Sequence, residues 1–217
     1  MLAAGLRLFL RFLHASGGPD LLSFLPRVPP PRPRTRILTP DEINILLARS
    51  NALMRAAITL MLDTACRAGE VIRICPEHYN PQTQTLTVPQ VKGQPPKLIP
   101  AGTGLRSLFE SLPPAPPLTP VLEVLHGRPV GYFNLNSHWQ TLKRKCGLPR
   151  DLRMHDLRRT TATALHQVSH DIFAVQQLLG HRTLHATAYY ISHADPEKLR
   201  PLLKLLETPA NRGGKPN

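Results

Sequence analysis

The stretch HDLRRTTATALHQVSHDIFAVQQLLGH, residues 155–181, carries two helix patterns in succession. The patterns cover residues 155–168 and 171–179, and the glycine that follows the second one is typical of a helix C-cap. His155 and Arg158 are one turn apart and therefore share a face of the first helix. This stretch predicts a largely helical domain.

Further helix patterns and one short β pattern lie outside it. Thr39-Pro40-Asp41-Glu42 forms a capping box with proline at the first helical position. The other predicted helices are Leu53–Ala65, Gly104–Leu112, Ser137–Cys146, Thr183–Tyr190 and the amphipathic Asp195–Leu206. Thr83–Val88 alternates and is β-branched, and Leu98-Ile99 is its predicted hairpin partner. We expect a mainly α fold with a small β-hairpin or sheet (α+β).

The composition indicates a basic, folded protein. The 217 residues contain 27 Lys and Arg against 14 Asp and Glu, a net charge of +13, which points to a polyanion and most often to nucleic acid. Because the sequence has no run of about 18 apolar residues, we expect no membrane partner. Three scattered cysteines favour a reducing cytosol and therefore a cytoplasmic location. With DNA as the partner, the expected location is cytoplasmic and nucleoid-associated.

Prolines divide the chain. Residues 26–36 combine prolines with arginines and are predicted to form an extended, cationic linker. A second proline cluster at residues 113–120 is predicted to be a loop within one domain. Before the linker, residues 2–13 predict one amphipathic helix that needs a partner surface, with an organellar presequence as the alternative.

The candidate chemistry uses cations. The sequence has neither a Walker-type glycine loop nor carboxylates paired at metal-binding spacing. Arg67 follows an apolar helix in TACRAGE, and Lys92 lies at the turn of the predicted hairpin. LLGH ends at His181, and Tyr190 comes nine residues later. Phosphate chemistry here would therefore depend on the protein's own cations.

Together these residues resemble the tyrosine recombinase family of the phage integrase type, which includes the Xer recombinases. That family has an arginine in a TGLR-x-x-E box, a hairpin lysine, an HDLR box, an LLGH box and a tyrosine nine residues later. The matching residues are Arg67 with Glu70, Lys92, His155 with Asp156 and Arg158, His181 and Tyr190. KGQPPKLIP, residues 92–100, follows the spacing of the family's KGNKERLVP, which favours Lys92 over Lys97.

The resemblance implies the tyrosine recombinase catalytic-domain fold and DNA strand transfer. Tyr190 would attack a phosphodiester, forming a 3′-phosphotyrosyl link and a free 5′-hydroxyl. The two arginines would stabilise the phosphorane, Lys92 would protonate the leaving oxygen, His155 would assist proton removal, and His181 would bind the phosphate. No cofactor and no metal are expected, since the phosphotyrosyl bond stores the energy for rejoining. Glu70 and Asp156 would support the site.

Some assignments have alternatives. Tyr189 and Tyr190 point about 100° apart on a helix, and the spacing favours Tyr190 as the nucleophile. Histidine pairs at i,i+4, namely His166 with His170 and His181 with His185, could suggest zinc. Neither pair has a third ligand nearby in the sequence, so a metal site is not expected.

The resemblance also implies a domain organisation. Residues 1–25 look like a remnant of an N-terminal core-binding domain, followed by the linker 26–36, the catalytic domain 37–206 and a flexible tail 207–217. The linker arginines, expected to contact DNA, are Arg27, Arg32, Arg34 and Arg36. The partners implied are double-stranded DNA and further copies of the chain, in a tetramer joined through the helix at residues 195–206. Two other functions stay open: a DNA-binding remnant that regulates a recombinase, and a type IB-like topoisomerase.

Overall fold

The computed structural model describes residues 2–26, 36–90, 96–181, 183, 184, 186 and 187. The predictions for the linker arginines 27–34, for the hairpin turn, for the helix at 195–206 and for the tail lie outside these residues. Chain contacts divide the protein into two compact units, residues 1–34 and 35–217.

The first unit is built around helix α1, Leu2–Ala15, which is followed by a 3₁₀ helix, Leu22–Phe24. Nη2 of Arg7 donates to the carbonyl oxygen of Pro26 at 2.6 Å and links α1 to the segment that follows the 3₁₀ helix. Leu8, Phe9 and Phe12 are exposed. The predicted amphipathic helix is therefore present, with part of its apolar face in contact with solvent.

The second unit is mainly helical and contains one small sheet. Its elements are α2 Pro40–Arg49, α3 Ala52–Thr64, α4 Ala68–Val71, β1 Tyr79–Asn80, β2 Thr85–Val88, β3 Lys97–Pro100, α5 Thr103–Glu110, α6 Val121–His126, α7 Tyr132–Lys145, α8 Met154–Ser169 and α9 Ile172–Leu179, with a 3₁₀ helix at Pro76–His78. The predicted mainly α fold with a small sheet is confirmed.

Helix α3 forms the centre of this unit. It packs against α8, α6 and α5, and both Leu60 and Ile58 on it are almost fully buried. The predicted capping box of α2 is present: Oγ1 of Thr39 accepts from the backbone N–H of Glu42 at 3.2 Å, and the Glu42 carboxylate accepts from the N–H of Thr39. A buried, continuous α3 gives the site a rigid support.

The sheet is antiparallel with strand order β1-β2-β3. Thr85 pairs with Pro100 and Val88 with Lys97, so the predicted hairpin is confirmed. Val88 and Ile99 point into the core, and the alternation places Lys97 on the same buried side as Ile99. The loop predicted from the second proline cluster, residues 113–120, is also present.

Candidate active site

Arg67 lies at the junction of α3 and α4, where Ala65 ends α3 in the left-handed conformation at φ 51°. The backbone N–H of Arg67 donates to Oε2 of Glu70 at 2.9 Å, and Nη1 of Arg67 donates to Oε1 of the same carboxylate at 2.8 Å. The Glu70 side chain is 2% exposed, whereas that of Arg67 is 46% exposed. A buried carboxylate thus orients a solvent-facing guanidinium group.

The charge on Glu70 is maintained by its neighbours. Burial acts to raise the pKa of Glu70, but the hydrogen bond from the Arg67 N–H and the positive charges of Lys97 and Arg158 outweigh it, so the pKa is lowered. Its Oε2 lies 3.9 Å from Nζ of Lys97 and 3.9 Å from Nη1 of Arg158. Three cations therefore surround one carboxylate, which leaves an excess of positive charge at the site.

Arg158 connects three helices from a fully buried position in α8. Its Nη1 donates to the carbonyl oxygen of Ala65 at 2.5 Å, and its Nη2 donates to that of Leu179 at 2.8 Å. These carbonyls end α3 and α9, whose last backbone oxygens need donors from outside the helix. Arg158 thereby fixes the ends of both helices next to Glu70.

His181 follows the C-terminus of α9, where Gly180 adopts the left-handed conformation at φ 63°. Its Nε2 lies 3.2 Å from Nη2 of Arg158, and its Nδ1 lies 3.1 Å from Oγ1 of the buried Thr187. Desolvation, followed by the charges of Arg158 and Arg67, lowers the pKa of His181 to about 4. The ring is therefore neutral at pH 7.

His155 lies in the first turn of α8. Desolvation and the positive charges of Arg158 and Arg159 lower its pKa to about 4, so it is also neutral at pH 7 and able to accept a proton. The next residue, Asp156, is buried, and its Oδ2 accepts from the backbone N–H of Arg153 at 2.8 Å. Asp156 thus caps the helix that carries His155 and Arg158.

A cleft of about 890 Å³ lies along these residues. Arg67, Glu70 and His155 form one part of its lining. The remaining polar and aromatic lining is contributed by Gln90, Tyr132, Asn136, Gln140 and Arg153. The cleft can therefore receive a polar, anionic group beside the predicted site residues.

The structure brings together five predicted residues, Arg67, Glu70, His155, Arg158 and His181, and places Asp156 as the cap beneath them. The remaining catalytic predictions, Lys92 and Tyr190, lie outside the described residues, as do Arg27, Arg32 and Arg34. Arg36 forms an ion pair with Glu42. Its charge is thus partly neutralised within the protein.

Sequence reasoning missed two features of the site. Lys97, set aside in favour of Lys92 as the hairpin lysine, is buried against Glu70. The strand alternation around Ile99 was the signal that could have found it. Asn136 and Gln140 also line the cleft, and their i,i+4 spacing places them on one face of α7.

Neither a metal-binding cluster nor a membrane-spanning helix is found among the residues that the structure describes. Within residues 2–26, 36–90, 96–181, 183, 184, 186 and 187, no group of three or more His, Cys, Asp and Glu residues is arranged to hold a metal ion. Among the same residues, no helix combines the length and the apolar character needed to cross a membrane.

The chain is similar to a protein family and to several named proteins. The model of the phage integrase family matches residues 36–197. A tyrosine recombinase of Pseudothermotoga lettingae is 29% identical over 187 residues, which cover 82% of this chain and 64% of the relative. The tyrosine recombinase XerC of Rhizobium meliloti is 27% identical over 207 residues, which cover 86% of this chain and 64% of the relative. The chain thus spans less than two thirds of the length of either relative.

Solved structures share the fold. The crystal structure of XerA recombinase superimposes with a TM-score of 0.65 at 21% identity, covering 95% of this chain and 77% of that one. A lambda integrase dimer bound to a COC′ core site superimposes with a TM-score of 0.68 at 20% identity, covering 85% of this chain and 57% of that one. The predicted tyrosine recombinase catalytic-domain fold is confirmed.

Proposed function

Because this chain belongs to the phage integrase family, we propose that it is a site-specific DNA recombinase or integrase that cuts and rejoins strands through a 3′-phosphotyrosyl intermediate. The observation that carries the proposal is the cluster of Arg67, Glu70, Arg158 and His181, which adjoins a polar cleft lined by His155.

In the proposed cleavage step, the phenolic oxygen of Tyr190 attacks the scissile phosphorus and the bond from phosphorus to O5′ breaks. The phenolic proton passes to His155, and Lys92 donates a proton to the departing O5′. The products are a 3′-phosphotyrosyl bond and a free 5′-hydroxyl group. Attack of a 5′-hydroxyl from a partner strand reverses the step and rejoins DNA, so no cofactor is required.

The charges at the site suit this reaction. The phosphorane gathers negative charge in the transition state, and preorganised cations stabilise that charge without further reorganisation. Arg67 lines the cleft, as Arg153 does, and its guanidinium group is already oriented by Glu70. Arg158 adds a fixed positive charge from the buried side. His181 would bind the phosphate after exchanging one of its present hydrogen bonds.

His155 is suited to the role of base. In the free protein its pKa is about 4, so the ring is unprotonated at pH 7. A bound phosphate brings negative charge next to the ring and raises its proton affinity. The group that must accept a proton therefore becomes a better base only when the substrate is in place.

Double-stranded DNA is the proposed partner. The net charge of +13 favours a polyanion. Among solved structures with this fold, XerH recombinase is bound to a palindromic difH substrate in a post-cleavage complex, and the Tn1549 transposon integrase is in complex with circular intermediate DNA. Amide side chains such as Asn136 and Gln140 can hydrogen-bond to base edges or phosphates. Arg27, Arg32, Arg34 and Arg36 are proposed to contact the DNA backbone. We propose assembly as a tetramer on DNA through the segment 195–206.

The experiment uses a pool of nicked suicide duplexes of randomised sequence, in which cleavage releases a short fragment and traps the covalent complex. A protein–DNA adduct that resists denaturation, and that is enriched for one sequence over rounds of selection, supports a site-specific recombinase. An adduct without sequence preference, together with relaxation of supercoiled DNA, indicates a topoisomerase. Binding without any adduct indicates a regulatory remnant and contradicts the proposal.

A further inference from the structure

Lys97 is buried beside Glu70, one of the residues that line the cleft. We propose that Lys97 is a positioning residue for strand cleavage, because its ammonium group fixes both the Glu70 carboxylate and the last turn of α9. The proposal rests on the proposed function, and it assigns a role to a second lysine of the hairpin that is distinct from the proton transfer proposed for Lys92.

The position of Lys97 is set by the sheet. It is the first residue of β3, pairs with Val88 and is 9% exposed. Its Nζ donates to the carbonyl oxygen of Leu178 at 3.0 Å and lies 3.8 Å from Sγ of Cys66. The same nitrogen lies 3.9 Å from Oε2 of Glu70. One ammonium group from β3 thus contacts both the α3–α4 junction and α9.

A buried ammonium group is costly to desolvate, and an apolar residue on the inner face of a strand would avoid that cost. Burial, and to a smaller extent the charges of Arg158 and Arg67, lower the pKa of Lys97, while Cys66 and Glu70 act in the opposite direction. The neighbouring carboxylate therefore favours the charged form. The geometry indicates that this charge is used to hold other groups.

Two of the groups held by Lys97 also contact the site arginines. Oε1 of Glu70 accepts a hydrogen bond from Nη1 of Arg67, while Lys97 and Arg158 lie 3.9 Å from its Oε2. Lys97 therefore approaches the carboxylate oxygen that the Arg67 guanidinium group does not contact, and this oxygen also accepts from the backbone N–H of Arg67. A shift of Glu70 would move the guanidinium group that faces the cleft.

The second anchor is the end of α9. Lys97 binds the carbonyl of Leu178 and Arg158 binds that of Leu179, so two cations hold consecutive carbonyls just before His181. Gly180, which lies between Leu179 and His181 in the chain, packs on the lysine: a Cβ at this residue would lie 3.1 Å from Cδ of Lys97. Lys97 therefore helps to set where the chain leaves α9 and carries His181 to Arg158.

A positioning role can be separated from proton donation by the leaving group. Sulfur in place of the bridging O5′ gives a thiolate leaving group of low basicity, which departs without a general acid. A variant that lacks the proton donor should therefore cleave the 5′-thio substrate at about the wild-type rate. A variant with a misplaced site should cleave both substrates slowly.

The test compares single-turnover cleavage of 5′-oxygen and 5′-thio suicide duplexes by Lys97→Met, Lys97→Arg and the wild type. We expect Lys97→Met to slow cleavage of both substrates by about 10- to 100-fold, as small displacements at a reacting centre do. Lys97→Arg should recover most of the rate, because a guanidinium group can also donate to both anchors. Lys92→Ala should be slow on the oxygen substrate only.

Lys145→Met is the matched control. Lys145 is exposed at the end of α7 and its removal changes the net charge by the same amount, so its cleavage rates should equal those of the wild type. Wild-type rates for Lys97→Met would overturn the positioning role, and rescue of Lys97→Met by the thio substrate would make Lys97 a proton donor instead. A wild-type chain that forms no adduct would overturn the proposed function itself.

A second measurement does not depend on catalysis. The positive charge of Lys97 helps to lower the pKa of His181, so Lys97→Met should raise that pKa in an NMR titration and Lys97→Arg should not. An unchanged His181 titration in a folded Lys97→Met protein would contradict the proposed coupling between the lysine and the end of α9. If Lys97→Met does not fold, Lys97→Arg and Lys97→Gln give the same comparison.

Discussion

Nη2 of Arg158 lies 3.2 Å from Nε2 of His181, while Nδ1 of the same ring lies 3.1 Å from Oγ1 of Thr187. A guanidinium group only donates, so Nε2 must accept, and the proton of the neutral ring is therefore on Nδ1. Nδ1–H then donates to Thr187. This arrangement fixes both the tautomer and the orientation of His181. Together with the burial of the ring, the adjacent charge of Arg158 makes protonation unfavourable.

The first prediction concerns the dependence of stability on pH. A histidine in the unfolded chain binds a proton near pH 6.5, whereas His155 and His181 in the folded protein do so only near pH 4. The unfolded state therefore binds more protons between these values, and the free energy of unfolding should fall as the pH is lowered from 6.5 to 4. Urea unfolding at several pH values measures this free energy, and it should fall less steeply with decreasing pH in His181→Gln than in the wild type. An equal slope in both proteins would contradict the assigned environment of His181.

Glu70→Gln should impair both stability and cleavage. The amide removes the negative charge that faces Lys97 and Arg158, so two buried cations lose their counter-charge, and we expect a loss of about 1–3 kcal/mol in the free energy of unfolding. Cleavage should slow by about 10-fold or more as Arg67 loses its orientation. Glu110→Gln, at an exposed position at the end of α5, is the control and should change neither quantity. Wild-type cleavage by Glu70→Gln would show that the carboxylate does not orient the site.

The two site arginines should respond differently to lysine. Arg158 donates from two nitrogens to two carbonyls, which one ammonium group at the end of a flexible chain cannot reproduce, so Arg158→Lys should lower the free energy of unfolding by about 1–3 kcal/mol. Arg67 is about half exposed, so Arg67→Lys should change stability by less than about 1 kcal/mol while slowing cleavage. The two variants are compared by thermal or urea unfolding and by their single-turnover cleavage rates. Equal destabilisation by both variants would contradict the different burial of the arginines.

DNA affinity should decrease steeply with salt. Each phosphate neutralised by a lysine or arginine releases counterions, so the logarithm of the binding constant should fall linearly with the logarithm of the salt concentration. Fluorescence anisotropy with a labelled duplex at several salt concentrations measures this slope. A flat profile would contradict binding through contacts of lysine and arginine side chains with DNA phosphates.

Much of the fold could be predicted because its signals are local. The capping box at Thr39 and the hairpin of β2 and β3 depend on neighbouring residues, and both are present as predicted. Helix α7 starts at Tyr132, five residues before the predicted start at Ser137, because its N-cap is Gly131, which offers no side-chain signal. The two-residue β1 is too short to show any periodicity.

The site was predicted less completely than the fold. Motif spacing found Arg67 and His181, which the fold brings to one place. The alternation around Ile99 puts Lys97 on the inner face of β3, but a charged residue is rarely buried unless a partner is present. Only the long-range packing of α9 and Glu70 against β3 supplies the partners that make its burial possible. Such partners are distant in sequence and leave no local pattern.

The central claim is that Tyr190 becomes covalently joined to DNA. The direct measurement is peptide mapping by mass spectrometry of the adduct formed on a selected suicide duplex, compared among the wild type, Tyr190→Phe and Tyr189→Phe. We predict that the modified peptide carries the nucleotide on Tyr190, that Tyr190→Phe forms no adduct and that Tyr189→Phe still forms one. A nucleotide on Tyr189, or an adduct that persists in Tyr190→Phe, would contradict the account.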